Sequence, residues 1–174
     1  MGDPKKQRKK YEAPKHPWRI DQLEAELKLV GEYGLRNKRE LWRYKTMLSK
    51  IRGIARSILG MSEEEREVLQ KECVSRMVRL GLLNESARID DVLDLTVRNL
   101  LDKRLQTVVY KKGLVKTIHQ AREIIAHGHV MVGDRKVTVP GYIVKRNEEE
   151  LVKLSPGIQV QSPLIGESET DSKP

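Results

Sequence analysis

The chain has no phenylalanine, and aromatic residues make up only 4% of it. Any core must therefore rest on Leu, Ile and Val. The stacking platforms that grip single-stranded nucleic acid are correspondingly scarce. The single cysteine, Cys73, excludes an intramolecular disulfide and any multi-cysteine zinc site. No apolar run approaches the roughly 18 residues of a membrane span. The basic N-terminus is not followed by the apolar stretch of a secretory signal. These absences predict a cytoplasmic protein with no membrane partner and no cofactor.

What is present is positive charge. The 174 residues carry a formal net charge of +9, with a sequence pI of about 9.7. A balance of this kind favours a polyanionic partner, and its distribution says more. Residues 1–60 hold 16 Lys/Arg against 7 Asp/Glu, and residues 99–140 hold 8 against 3. Between them, residues 61–98 hold 6 against 9. Two basic blocks separated by an acidic one are a segregation that solubility alone does not require.

Along the chain, residues 1–20 read as a disordered basic arm. Asp21 with Glu24 forms a D-x-x-E capping pattern, and Leu23, Leu27 and Val30 follow at helical spacing, ended by Gly31 and Gly34. Asn37 with Glu40 repeats the capping logic. Leu41, Tyr44, Leu48, Ile51, Ala55 and Ile58 then step by three and four, predicting a long amphipathic helix ended by Gly60. Its other faces carry Lys38, Arg39, Arg43, Lys45, Lys50, Arg52 and Arg56, with Trp42 among them. Ser62 and Glu65 predict a third cap, with Leu69, Cys73, Met77 and Leu80 inward and Gly81 as the stop. Residues 90–95 read as one short helical turn.

Residues 97–112 are predicted as one helix with Leu101, Leu105, Val108 and Val109 on one side, stopped by Gly113. Thr117 and Gln120 cap the next helix, whose apolar residues are Ile118, Ala121, Ile124 and Ile125, and Gly128 ends it. Together these make a helix–turn–helix-like pair. The period then changes to two. Val130 and Val132 lead to a Gly133-Asp134 turn, and Val137 and Val139 lead back. Pro140 marks a sheet edge, and residues 142–144 and 151–154 read as two further short strands. The fold class is therefore α+β: a helical N-terminal part and a small αα–hairpin module with a mostly antiparallel sheet. The expected division is a basic arm (1–20), a helical domain (21–98), the module (99–157) and a disordered acidic tail (158–174).

The helical pair suggests phosphate chemistry. Arg104 and Lys111 are seven residues apart and share a side, Lys112 and Lys116 bracket the turn, and His119 and Arg122 share a face of the second helix. A helix start flanked by Lys and Arg suits a phosphate. His127, His129, Arg135 and Lys136 extend the positive surface along the hairpin. With few aromatics, such a surface favours structured RNA, which is read through shape, phosphate and 2′-hydroxyl contacts. The candidate RNA-binding residues are thus Lys103, Arg104, Lys111, Lys112, Lys116, Thr117, His119, Gln120, Arg122, His127, His129, Arg135 and Lys136. From the first block come Arg36, Asn37, Lys38, Arg39, Trp42, Arg43, Lys45, Lys50, Arg52 and Arg56.

The run from Leu101 to Val144 (LDKRLQTVVYKKGLVKTIHQAREIIAHGHVMVGDRKVTVPGYIV) closely resembles the RNA-binding module named after small-subunit ribosomal protein four. The matching features are its L-D-x-R-L start, the V-V-Y-x-x-G helix end, A-R-x-x-I, G-x-V-x-V and V-x-x-P-x-Y, all in order. Residues 27–43 (LKLVGEYGLRNKRELWR) resemble the archaeal and eukaryotic branch of that ribosomal protein family. The resemblance spans roughly residues 10–160. It implies a primary binder of small-subunit rRNA that nucleates assembly of the subunit body and neighbours other small-subunit proteins. It also implies a position near the channel through which mRNA enters and a contribution to translational accuracy. Two positions depart from the module's usual pattern: Ile118 stands where many copies have Arg, and Gly133-Asp134 replaces the usual Asn-Gly turn.

Three rival readings fit the sequence less well. A pseudouridine synthase carrying this module needs a separate catalytic domain that 174 residues do not accommodate. His119, His127 and His129 have no carboxylate or cysteine cluster beside them, so no enzyme is expected. A DNA-binding regulator fits poorly with the basic N-terminal half and the attached hairpin. A free-standing RNA-binding chaperone with the same module is the remaining alternative.

Overall fold

The computed structural model describes residues 9–156. The whole of the expected acidic tail (158–174), and the first eight residues of the expected arm, lie outside the described residues. The rest forms α1 (Ile20–Glu32), α2 (Lys38–Leu59), α3 (Glu63–Arg79), α4 (Ile89–Asp94), α5 (Val97–Asp102), α6 (Leu105–Lys111), α7 (Ile118–Ala126), β1 (Val130–Val132), β2 (Arg135–Lys136), α8 (Arg146–Glu149) and β3 (Val152–Leu154). The strands form one antiparallel sheet in the order β2-β1-β3, so the α+β class stands.

Helix α2 is the spine of the N-terminal half. Asn37 caps it, its side chain accepting from the Glu40 N–H at 3.1 Å, a contact worth about 1 kcal/mol. All six residues of the predicted stripe are buried, from Leu41 and Ala55 at 0% exposure to Tyr44 and Ile51 at 8%. Each buried Leu or Ile contributes roughly 1.5–3 kcal/mol by leaving water.

Its neighbours follow the periodicity less closely. In α1, Leu27 is 59% exposed and Glu26 is buried; the helix turns Glu26 inward because Lys45, Trp42 and Gln22 all donate to it. Helix α1 also begins at Ile20 with no side-chain cap, so Asp21 lies inside the first turn. Gly31 is helical, and the stop is Gly34 at φ +55. The Leu35 N–H then donates back to Val30 O at 3.0 Å, as the left-handed stop requires. Ser62 likewise makes no side-chain cap bond on α3. On α3 only Met77 is buried, while Leu69, Cys73 and Leu80 are half-buried. The cause is a groove of about 570 Å³ between α2 and α3, with Ile54, Met61, Leu69 and Cys73 on its walls. Residues 9–19, expected in the disordered arm, touch α2: the Glu12 N–H donates to Thr46 Oγ1 at 3.0 Å, and the Tyr11 ring lies 5.9 Å from that of Trp42.

The single helix predicted over 97–112 is two. Lys103 and Arg104 separate α5 from α6, and Arg104 adopts an extended backbone (φ −69, ψ 141) that bridges to Ile143. The break is fixed by hydrogen bonds from distant residues: Val144 N–H to Lys103 O at 2.9 Å, Leu105 N–H to Tyr142 O at 2.8 Å and Gln106 N–H to Pro140 O at 3.3 Å. The segment around 142–144 is consequently a bridge partner and not a third strand of the sheet. Val139, expected in the hairpin, is 59% exposed beyond β2. The hairpin pairs Val132 with Arg135. Gly133 has φ +62 and, among the described residues, no non-glycine residue has positive φ, which is the type II′ pattern. The short helix α8 is not predicted by the sequence pattern.

Two apolar clusters result. One gathers α2 to α5 and includes Leu100 and Leu101; the other runs from Leu105 through Val115, Ile125, Val130 and Val152. The transition between them falls at Lys103–Arg104, a few residues beyond the predicted boundary.

Candidate nucleic-acid interface

The two basic blocks meet at the N-terminus of α2. Arg122 of α7 lays its guanidinium on Glu40 of α2, Nη2 to Oε1 at 2.7 Å and Nη1 to Oε2 at 3.3 Å. Arg104 Nη2 reaches the same carboxylate at 3.1 Å. Gln106 Nε2 donates to Gly34 O at 3.1 Å and Ile118 O at 2.9 Å. The approach at Gly34 is close enough that a Cβ there would lie 2.8 Å from Ile118 Cγ2. Tyr44 adds a bond from its hydroxyl to Gly141 O at 3.1 Å. Burial pulls the Glu40 carboxyl upward, but the bonds and charges of Arg122 and Arg104 outweigh it and hold it below the usual carboxylate range.

Around this joint the exposed basic side chains form two groups. Arg36, two residues beyond Gly34, is exposed, and so is Lys116, two residues before Ile118. On α2, Arg39, Arg43 and Lys50 are exposed; at positions i, i+4 and i+11 they share one face and span about 16 Å. On α7, His119 is exposed at the start, while His127 is exposed and His129 half-buried at the far end. The two imidazoles lie 6.1 Å apart and nearly parallel. Arg135 and Lys136 of β2 are exposed beside them. The stem of Lys136 covers Gly128, whose φ of +76 and lack of Cβ make room for it. Lys111 is exposed and pairs with Asp102 at 3.0 Å. That carboxylate also accepts from the Tyr33 hydroxyl, whose pKa is pushed up to about 12 by burial and by Asp102 itself. Arg56 is exposed, with Nε on Arg52 O at 3.3 Å.

Other predicted residues have hydrogen-bond or ion-pair partners within the protein. Arg104 is the clearest correction: expected on the surface, it is 1% exposed, with its guanidinium 5.4 Å from the Tyr44 ring centroid. Lys45, Trp42 and Lys38 converge on Glu26, at 2.6, 3.1 and 3.9 Å. Arg52 donates to Leu95 O at 2.6 Å. Lys103 pairs with Glu149 at 2.8 Å, and Lys112 reaches Glu150 O at 3.2 Å. Asn37 and Thr117 act as helix caps. Gln120 Oε1 accepts from the Lys116 N–H at 2.9 Å, completing the turn that presents Lys116.

Sequence reasoning missed Glu40, Gln106, Gly34 and Tyr44 as parts of the joint. The spacing to Asn37 makes Glu40 read only as a capping partner. A usable signal existed: it is the one acid between Glu32 and Glu63, amid eight Lys/Arg.

The comparisons with known proteins point the same way. The S4 domain family matches residues 103–150, the stretch from the α5–α6 break to the end of α8. The small ribosomal subunit protein uS4 of Ignicoccus hospitalis is 54% identical over 156 residues, covering 90% of this chain and 94% of the relative. That of Hyperthermus butylicus is 53% identical, covering 90% and 89%. That of Metallosphaera sedula is 46% identical over 174 residues, covering 98% and 97%. These matches take in the helical half and the joint as well as the module, so the chain belongs to the small ribosomal subunit protein uS4 family.

Proposed function

We infer that this chain is a structural constituent of the small ribosomal subunit, without catalytic activity, and that it binds small-subunit rRNA directly. Its place is then the ribosome in the cytoplasm. The observation that carries the reading is the joint at Glu40. There two basic segments some 80 residues apart in sequence come together, so their exposed cations border a single folded polyanion. The proposed contacts are Arg36, Arg39, Arg43, Lys50 and Arg56 from the first block. From the second come Lys111, Lys116, His119, His127, His129, Arg135 and Lys136. Arg104, Trp42 and Lys45 position these and do not touch RNA.

Rigid junctions suit a chain that fixes an rRNA fold early, which supports a role in nucleating assembly of the subunit body. The contribution to accuracy, the neighbouring small-subunit proteins and the nearness to incoming mRNA follow from the family resemblance alone. The test is equilibrium binding of the full chain to small-subunit rRNA fragments and to duplex DNA of equal length across a salt series. The rRNA is bound more tightly, and R39A/R43A lowers the log–log salt slope by roughly 0.7–0.9 per lost phosphate contact. Preference for the DNA, or an unchanged slope, defeats the reading. Retention on small subunits through a high-salt wash separates a constituent from a free-standing chaperone, which washes off.

A further inference from the structure

A carboxylate inside a strongly basic, phosphate-facing helix needs a reason, because it repels the ligand. Helix α2 has one, Glu40, and both of its oxygens are engaged by Arg122 and Arg104. Arg104 is locked in place: it is buried, its backbone bridges to Ile143, and its ring partner Tyr44 is itself bound to Gly141. Arg122 stands on α7 one turn from His119. Glu40 therefore ties α2, the start of α6 and α7 into one node. A bidentate carboxylate–guanidinium pair fixes orientation as well as distance.

We propose that Glu40 is the positioning residue that holds the α2 cations and the module's cations, Lys116, Arg135 and Lys136, at the separation of two phosphate stretches on one RNA. The inference rests on the RNA-binding reading above. With the node intact, binding by one group of cations makes engagement of the other intramolecular, and the entropy of aligning them is already spent. Glu40 itself does not touch RNA.

The sign of one variant separates this from simple electrostatics. E40Q raises the net charge by one, so a charge count predicts tighter binding to rRNA. Loss of positioning predicts the reverse: affinity weaker by about tenfold or more, and a salt slope reduced as one group of cations disengages. A purely structural loss scales affinity with the folded fraction and leaves that slope unchanged. E40D, one methylene too short to reach both arginines, keeps the net charge and carries the test if E40Q does not fold. It too binds more weakly with a lower slope. Wild-type binding together with E40Q or E40D binding at an unchanged slope, whether as tight as wild type or weaker, overturns this inference alone. Failure of the wild-type chain to bind small-subunit rRNA overturns the RNA reading, and this inference with it.

Discussion

Two side chains of opposite charge are taken almost completely out of water, Glu26 in the helical half (2% exposed) and Arg104 at the joint (1%), and they are treated differently. Glu26 receives Lys45 at 2.6 Å, Trp42 at 3.1 Å and Gln22 at 3.2 Å on one oxygen, with Lys38 3.9 Å from the other. Arg104 has Nη2 on Glu40 at 3.1 Å and on Gln106 at 3.4 Å, while its Nε and Nη1 make no hydrogen bond among the described residues. Burying an ion costs several kcal/mol unless its partners are well placed. Glu26 is compensated within one half of the molecule, by its own helix and the next. Arg104 is compensated incompletely, by residues that the fold must first bring together. The first stabilises a pair of helices; the second makes the halves meet in one arrangement.

The strongest way to break that comparison is Arg104→Ala. It removes a fully buried side chain, leaves a cavity and takes one cation from Glu40, for an expected loss of about 3–5 kcal/mol in urea unfolding. Arg104→Met keeps most of the volume and removes the unsatisfied N–H groups, so its loss is expected to be less than half as large. Equal losses would show that charge, and not shape, is what the site requires. Gly34→Ala attacks the joint through the backbone. It places a Cβ 2.8 Å from Ile118 and 2.9 Å from Gln106 at a left-handed φ of +55, and should cost about 2–3 kcal/mol. Glu26→Gln keeps shape but loses the charge-assisted bond from Lys45, an expected cost of about 1–2 kcal/mol. Its effect should leave the joint untouched, so E26Q and G34A together should add in the same unfolding measurement.

The same contrast explains what could be read from the chain before its structure. Where one helix packs on its own sequence neighbours, local period suffices: every member of the Leu41–Ile58 stripe is buried, and the Asn37 and Thr117 caps form as their spacing predicts. Where a polar group finds its partner across helices, period misleads. The α1 stripe named Leu27, but Glu26 turns inward because α2 offers Lys45, Lys38 and Trp42. The 97–112 segment has helical periodicity throughout, and no local signal breaks it. The break is imposed by backbone groups at 140–144 that arrive some 40 residues later. Among the candidate contacts, residue type and clustering found the exposed cations. They could not separate Arg39 from Lys45 or His119 from Arg104, because that depends on which cations meet a carboxylate, a carbonyl or an aromatic ring of the folded chain.

The finest distinction between the two buried ions is their response to acid. Burial pushes the Glu26 carboxyl up, but hydrogen bonds from Lys45, Gln22 and Trp42 outweigh it and hold it below its ordinary value; Glu40 is depressed in the same direction. A carboxyl whose folded pKa lies below its unfolded one contributes stability in full above the unfolded value, about 4.3. That contribution is lost as pH falls through the folded value. Wild-type stability should therefore decline below about pH 4.5, by an amount set by both acids. Protonated Glu26 resembles Gln, so the deficit of E26Q should close toward zero as the pH falls. The cavity left by Arg104→Ala is independent of pH, so its deficit should persist in acid even after Glu40 is protonated. Urea midpoints of the three proteins at pH 6 and pH 3 give the comparison. An E26Q deficit that survives at pH 3 would mean that Glu26 is held by shape and not by its charge.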